Sequence, residues 1–299
     1  MPRVSVLTAS FNQERYIERC LQSVRSQTFR DLEHVVIDDG STDGTPALVE
    51  RHADIVYVRQ ENAGNVASRN RALELSTGEF IAVLDGDDWW DSQKLERQVA
   101  LMDADAGIGL VYTGMVEVDD DGAQSSAAMF DDISADPIAA QLVSNATPFS
   151  SMLIRREALG SGPLLDPRFN MAGDKYLTLR IALGGWRFAG VPEPMLHLRT
   201  HAASMRYSPE FRQQYLCQVL GIIEEVASDT RLPARYAGTV RQAEAWAYFT
   251  TAWLMIDRGS AEERRAAKPY LEKALRRDLG LAPKVGKQLV KSFVRDLNR

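Results

Sequence analysis

The sequence is poor in the residues that build disulfide frameworks and dinucleotide-binding loops. It has two cysteines in 299 residues, Cys20 and Cys217. Neither has a partner at metal or redox-motif spacing, so no disulfide framework is implied, and Cys20 falls in an apolar helical stripe that reads as core. No G-x-G-x-x-G follows the first apolar strand; the loop there is Ala9-Ser10-Phe11-Asn12-Gln13. That excludes the fingerprint of an NAD-binding dehydrogenase. It also departs from the Gly-rich first loop of a nucleotidyltransferase, which stays an alternative of lower rank. A basic excess is missing as well: the net charge is −6, and no nucleic-acid footprint is expected. No apolar run approaches the length that spans a bilayer. Met1-Pro2-Arg3 leads straight into an apolar strand without separate charged, apolar and cleavage regions. A secretory signal is therefore not expected, and a cytoplasmic location is.

What is present suits a soluble globular chain, with 45% apolar and 25% charged residues. Its length fits one large domain, or one domain with an appendage. The first hundred residues alternate strand and helix. Strands are predicted over 4–9, 32–37, 55–59 and 80–84. Helices are predicted over 14–27, from Thr45 as N-cap with Pro46 at the first helical position, and over 65–76 with Gly78 just past the end. A further helix starts at Asp91 and carries Leu95, Val99 and Met102 on one face. Such alternation predicts an α/β fold: a mostly parallel central sheet with helices on both faces. Beyond Val118 the pattern loosens. An acidic turn covers 119–122, short helices 137–143 and 174–183, and strands 151–154, 186–191 and 195–199. From Glu210 onward the chain reads as helical, with 251–259 and 261–275 forming a hairpin with small residues at the packing positions. One such hairpin is too few for a solenoid.

In parallel sheets, ligands bind at the carboxyl ends of the strands. Thr8, Asp38, Asp39, Asp85, Asp87 and Asp88 all fall at predicted strand ends. The strongest group is Leu84-Asp85-Gly86-Asp87-Asp88. Three carboxylates held together repel, and a divalent cation resolves the conflict. Oxygen ligands suit Mg²⁺ or Mn²⁺ bridging substrate phosphates, whereas a solvated acidic turn is the bland reading. In Asp38-Asp39-Gly40-Ser41-Thr42-Asp43-Gly44-Thr45 a carboxylate can accept from a nucleobase imide or a ribose hydroxyl. Asp39, Ser41, Asp43, Gly44 and Glu50 also match calcium-loop spacing, but a strand precedes them where a helix is required, and Pro46 obstructs the calcium loop's β pairing. A third stretch, Glu61-Asn62-Ala63-Gly64-Asn65 with Arg69 and Asn70 on the next helix, can face a diphosphate or a base, or be an ordinary helix-start loop.

These stretches, in this order and with Val4-Ser5-Val6-Leu7-Thr8 and Asn12 ahead of them, closely resemble the family 2 inverting glycosyltransferases of the GT-A fold, over residues 3 to about 120. The resemblance implies a catalytic domain over 1–209, with a nucleotide-sugar-binding half over 1–120 and an acceptor half over 121–209, followed by a helical region over 210–299. It implies a nucleotide-sugar donor, UDP-linked by preference, and a glycan or lipid-linked acceptor. Asp39 would bind the nucleobase, with Thr8 and Arg69 lining the same pocket. Asp85 would meet the ribose or nucleotide, and Asp87 or Asp88 the metal. Asp174, in Met171-Ala172-Gly173-Asp174-Lys175, occupies the place of the general base, although Gly173 stands where an acid is common; a helix N-cap is the plain alternative. Arg199-Thr200-His201 resembles the family's R-x-H-x-x-S stretch, which makes His201 a metal or phosphate contact. A catalytically inert sugar-nucleotide or glycan-binding module is the competing reading from another class. Finally, Lys284, Lys287, Lys291 and Arg295 interleave with Val285, Leu289, Phe293 and Val294. That spacing fits a basic amphipathic helix over 281–299, able to touch a membrane surface peripherally or to pack on its own domain.

Overall fold

The computed structural model describes residues 1–144, 147–201, 209–258, 261–284 and Gly286. The chain divides into two compact units, one of Met1–Ala140 with Asn145–Ala202, the other of Gln141–Ser144 with Ala203–Arg299.

The first unit is built on one eight-stranded sheet in the order β3-β2-β1-β4-β7-β6-β8-β5. Its strands are β1 Val4–Ser10, β2 Leu32–Asp38, β3 Ile55–Arg59, β4 Phe80–Val83, β5 Trp89–Trp90, β6 Ile108–Val118, β7 Leu153–Arg155 and β8 Arg187–Arg199. Pairings β1–β2, β1–β4, β2–β3 and β6–β8 are parallel, whereas β4–β7, β6–β7 and β5–β8 are antiparallel. The expected mostly parallel α/β sheet is present. Its helices are α1 Ile17–Arg25, α2 Thr45–Val49, α3 Asn65–Leu75, α4 Lys94–Ala104, α5 Pro137–Val143, which runs into the second unit, and α6 Gly173–Leu183.

Burial on both faces explains why β1, β2 and β4 are apolar nearly throughout. Val4 and Val6 of β1 join a core cluster with Ile17, Cys20 and Leu21 of α1. The alternate residues Leu7, Val35 and Ile37 are fully buried on the opposite face, and α3 packs on β1 and β2. Each such side chain contributes about 1.5–3 kcal/mol through removal from water.

Several local expectations change. The strands over 186–191 and 195–199 are one strand, β8, that absorbs Pro192 and Pro194 through register shifts against β6. Strands β5 and β6 were not read from the sequence at all. Thr45 is the first residue of α2 and not its cap, because its hydroxyl accepts instead from the Gln13 amide at 2.8 Å, while Asp43 Oδ1 accepts from the Thr45 amide at 3.0 Å. Gly78 does not cap α3. A Cβ there would stand 2.7 Å from the Ser5 amide nitrogen, so glycine permits the close approach of this turn to β1.

The second unit contains α7 Pro209–Ser228, α8 Ala237–Arg258 and α9 Ala261–Arg277. Ala245 and Ala252 of α8 and Ala267 and Ala274 of α9 are buried in one cluster with Tyr248, Phe249 and Leu271. Alanines seven residues apart form a small-residue stripe that lets the helices of the hairpin close together. Arg277 Nε donates to Glu244 Oε2 at 2.7 Å and fastens the far end of α9 to α8. Of the basic stretch over 281–299, residue 285 and residues 287–299 lie outside the described residues. Among the described residues no helix is long and apolar enough to cross a membrane.

Candidate active site

The loops at the carboxyl ends of β1 and β2 bind each other. Asn12, at φ 52°, sits in the left-handed region that asparagine tolerates. Its amide donates to Ser41 Oγ at 2.9 Å, and its Oδ1 accepts from the Thr42 amide at 2.8 Å. Asp43 Oδ2 accepts from the Glu14 amide at 3.1 Å. Ser41 and Asp43, two of the residues that mimic a calcium loop in the sequence, therefore serve to join the β1 and β2 loops.

Asp39 is 4% exposed. Its Oδ1 accepts from Gln60 Nε2 at 2.8 Å and from the Ala63 amide at 2.9 Å, and Oδ2 accepts from the Gly64 amide at 2.8 Å. Burial pushes its pKa up, but hydrogen bonds from Ala63, Gln60, Ser68 and Gly64 prevail and hold it below the usual carboxylate value. A folded pKa below the unfolded one contributes stability above the unfolded pKa, lost as pH falls through the folded one. In urea titrations, wild type should therefore be more stable than Asp39→Asn at neutral pH, and the gap should narrow in acid as the carboxylate protonates. A gap that is constant across that range would show that the charged hydrogen bonds do not carry the effect.

Gly40 follows with φ +82°, and a Cβ there would lie 3.1 Å from the Asn62 amide nitrogen. Gly40→Ala is expected to destabilise by about 1–2 kcal/mol from the left-handed backbone alone. A chemical-denaturation midpoint equal to wild type would contradict this.

At the end of β4, Arg69 on α3 forms an ion pair with Asp85, and its guanidinium carbon lies 4.7 Å from the centre of the Phe149 ring. Ser150 Oγ accepts from the Asp85 amide at 3.1 Å. Asp87, two residues on, meets His201, with Nε2 to Oδ2 at 3.1 Å. Burial, and then the charge of Asp85, raises the Asp87 pKa. Asp88 is 2% exposed, and its Oδ1 accepts from the Arg199 amide at 2.9 Å. Burial and the two neighbouring aspartates raise its pKa well above the usual value.

The resemblance puts the metal on Asp87, with Asp88 as the alternative, and the structure places the two side chains differently. Asp88 is turned inward to hold the end of β8, and Asp87 keeps a 22% exposed side chain beside an imidazole. Thr8 is also corrected. Strand β1 runs on to Ser10, so Thr8 is short of the sheet's mouth, fully buried, with Oγ1 bonded to His34 Nε2 at 2.9 Å. It does not line a pocket with Asp39.

Asp174 sits in the first turn of α6, whose N-cap is Ala172, so Asp174 is not the cap. Asn70 clamps Leu165, donating to its carbonyl at 2.8 Å and accepting from its amide at 2.9 Å. A Cβ on Gly173 would in turn stand 3.1 Å from Leu165 Cδ2. Leu165 thus lies against Gly173 at the start of α6 and is held by Asn70 of α3. Next to Asp174, the buried Lys175 has its pKa pushed down to about 8 by burial, with Asp174 opposing the shift.

Two residues beside the site were given no role in the sequence reading. Tyr16 donates to Asp120, and its ring centre lies 5.1 Å from that of His201. Arg199 Nε donates to the Asp87 carbonyl at 3.0 Å, and its Nη1 donates to the carbonyls of Asp119 and Asp120. Both pack around the Asp87–His201 pair. Only the arginine carried a signal, in Arg199-Thr200-His201.

Among the described residues no group of three His, Cys, Asp or Glu side chains is set around a metal. Asp87 and His201 supply two donors, and a hard divalent cation commonly takes one or two protein ligands and completes its shell with phosphate oxygens and water. A cation would also relieve the repulsion that raises the Asp87 and Asp88 pKa values. The donor set fits such an ion.

A sheet with this strand order, with acidic loops and a basic residue at the carboxyl ends of its parallel strands, is a Rossmann-like scaffold with a candidate ligand site at its mouth. The model of glycosyl transferase family 2 matches residues 5–160, more than half of the chain, and the chain belongs to that family. It is 29% identical over 216 residues to EpsH of Bacillus subtilis (strain 168), named as a glycosyltransferase. That match takes in 68% of this chain and 62% of EpsH, so the chain spans less than two thirds of this relative. Among solved structures it shares the fold of S. aureus TarS 1-349, with a TM-score of 0.72 at 21% identity, covering 98% of this chain and 88% of that one. It also shares the fold of the mannosyltransferase PcManGT from Pyrobaculum calidifontis, solved with GDP-Man and Mn²⁺. There the TM-score is 0.61 at 22% identity, covering 99% of this chain and 87% of that one. The GT-A expectation holds.

Proposed function

We propose that the chain is an inverting glycosyltransferase that moves a sugar from a UDP-linked donor to a hydroxyl of a glycan or lipid-linked acceptor. The observation that carries this reading is the Asp87–His201 pair at 3.1 Å, two residues beyond the Arg69–Asp85 ion pair, at the mouth of β4. Cationic, acidic and imidazole groups there suit a diphosphate and its counterion. The GDP-Man and Mn²⁺ bound by PcManGT support the donor class and the metal.

In this reading Asp39 and the 60–64 loop frame the nucleobase, and Asp85 with Arg69 orients the ribose and diphosphate. Asp87 and His201 hold Mn²⁺ or Mg²⁺, which when bound supplies Lewis-acid neutralisation of the leaving diphosphate. Asp88 supports this loop from behind. Asp174 accepts the proton of the acceptor hydroxyl as that oxygen bonds to the anomeric carbon. The bond to the diphosphate oxygen breaks on the opposite face, so the configuration inverts. In this reading residues 1–209 carry the catalytic domain, followed by a helical region over 210–299.

Calorimetry with UDP, dTDP and GDP, each with Mn²⁺ and with chelator, tests the donor site. Binding of UDP that needs the metal is expected. No binding of any nucleotide under either condition would remove the reading. Nucleotide binding without sugar turnover on any acceptor would instead favour an inert binding module, an outcome made concrete by Gly173.

A further inference from the structure

Lysine is almost never fully buried unless it is paired with an acid. Lys94, the first residue of α4, is fully buried, and among the described residues no carboxylate pairs with it. Burial pushes its pKa well below the ordinary lysine value. Its Nζ donates to Gln98 Oε1 at 2.8 Å and lies 3.9 Å from the centre of the Trp90 ring. An apolar side chain of similar length would be easier to bury, but it could not hold Gln98 Oε1.

That bond decides which way the buried Gln98 amide faces. A glutamine amide has one accepting oxygen and two N–H donors. With Oε1 held by Lys94, Nε2 donates to the carbonyls of Val111 and Ser151, each at 2.9 Å. Trp90 Nε1 donates to the Ser150 carbonyl at 2.7 Å. Two carbonyls of the short 3-10 turn Phe149–Ser151 are thus fastened from α4 and β5. The same turn meets the acidic mouth of the sheet. Phe149 packs on the Arg69 guanidinium, and Ser150 Oγ accepts from the Asp85 amide.

Resting on the donor reading above, we propose that Lys94 is a positioning residue for that site. By orienting Gln98 it fixes the Phe149–Ser151 turn, and the turn sets the places of Arg69 and Asp85.

Lys94→Met keeps the length of the side chain and takes the donor from Gln98 Oε1. A lone buried amide oxygen is costly, so the amide should swing away from its two carbonyls and release the turn. Lys94→Met/Gln98→Leu removes donor and acceptor together, leaves no lone amide in the core, and serves where the single variant does not fold. Two readouts are taken on protein shown by its thermal melt to be folded. One is the ¹H–¹⁵N signal of Arg69 Nε, identified by its loss in Arg69→Lys, whose position reports the nearby Phe149 ring. The other is a calorimetric Kd for UDP with Mn²⁺. In both variants the Arg69 signal should move and UDP affinity should fall about tenfold, the low end of what losing an outer partner costs at a metal site. Trp90→Phe, which deletes only the bond to the Ser150 carbonyl, should move the same signal by less. A changed melting temperature with the Arg69 signal and Kd at wild-type values would make Lys94 purely structural and overturn the proposal. A displaced signal with an unchanged Kd would overturn it too, since the turn would then have no bearing on the donor. If the wild type binds no nucleotide, the donor reading fails by itself, whereas a displaced Arg69 signal still upholds Lys94 as the residue that sets the Arg69–Asp85 pair.

Discussion

Asp174→Asn should leave donor affinity unchanged while kcat falls by roughly 10²–10⁴-fold, the range that a positioned general base contributes. The substitution keeps the shape of the side chain and removes its capacity to accept a proton. Backbone disturbance should be small. Lys175 N donates to Asp174 Oδ1 at 2.8 Å, and an amide oxygen can accept the same bond. Donor affinity should hold because the groups assigned to the nucleotide lie on the β2 and β4 loops and on α3. The measurement is a kcat for sugar transfer beside a calorimetric Kd for UDP. Full turnover in Asp174→Asn would end the assignment of the base. A joint loss of nucleotide binding and turnover would mean that α6 shapes the donor pocket instead. Full activity at position 174 together with intact UDP binding would send the search for a base to other carboxylates.

The second large effect concerns the two adjacent aspartates, which should fail in different ways. Asp87→Ala should weaken metal-dependent nucleotide binding at least about tenfold, or 1.4 kcal/mol, and leave thermal stability close to wild type. Its side chain is partly exposed, and His201, its side-chain partner among the described residues, can turn to water. Removing a carboxylate from the acidic cluster also relieves repulsion. Asp88→Ala should instead lower stability by about 1–3 kcal/mol, because the buried Arg199 amide loses its acceptor. Thermal melts and Mn²⁺-dependent UDP titrations on both variants make the contrast. The assignment fails if Asp88→Ala loses metal-dependent binding with an unchanged melt while Asp87→Ala binds normally. Tyr16→Phe offers a milder probe of the same place. Loss of the bond to Asp120 frees the ring that packs beside His201, so nucleotide affinity should fall less than in Asp87→Ala.

Much of the scaffold was legible because its signals are local. The central strands are apolar on both faces, and helices α1 and α4 keep helical periodicity, so β1 to β4 were read within a few residues. The antiparallel half was harder. Strand β5 has two residues, too few to show a period, and β7 has three. Strand β8 contains two prolines and pairs with β6 through register shifts, which broke it in two on paper. The helical hairpin of the second unit was visible in its alanines, whereas the basic stretch beyond it gains nothing from the described residues.

What the sequence determined by itself was which chemistry arrives at the mouth of the sheet: aspartates at the ends of β2 and β4, and an arginine at the start of α3. Strand alternation and loop order depend only on near neighbours, and those are written in the chain. Only the tertiary structure decided which side chains use that chemistry. His201 reaches Asp87 across 114 positions, and the Arg199 amide reaches Asp88 across 111. Tyr16 reaches Asp120 across 104. Thr8 turned inward because β1 continues two residues past it, and Asp88 was drawn inward because the end of β8 needs an acceptor. Such outcomes follow from pairing and burial between distant segments, where local periodicity carries no information and the unmet hydrogen bonds of a folded core decide the orientation.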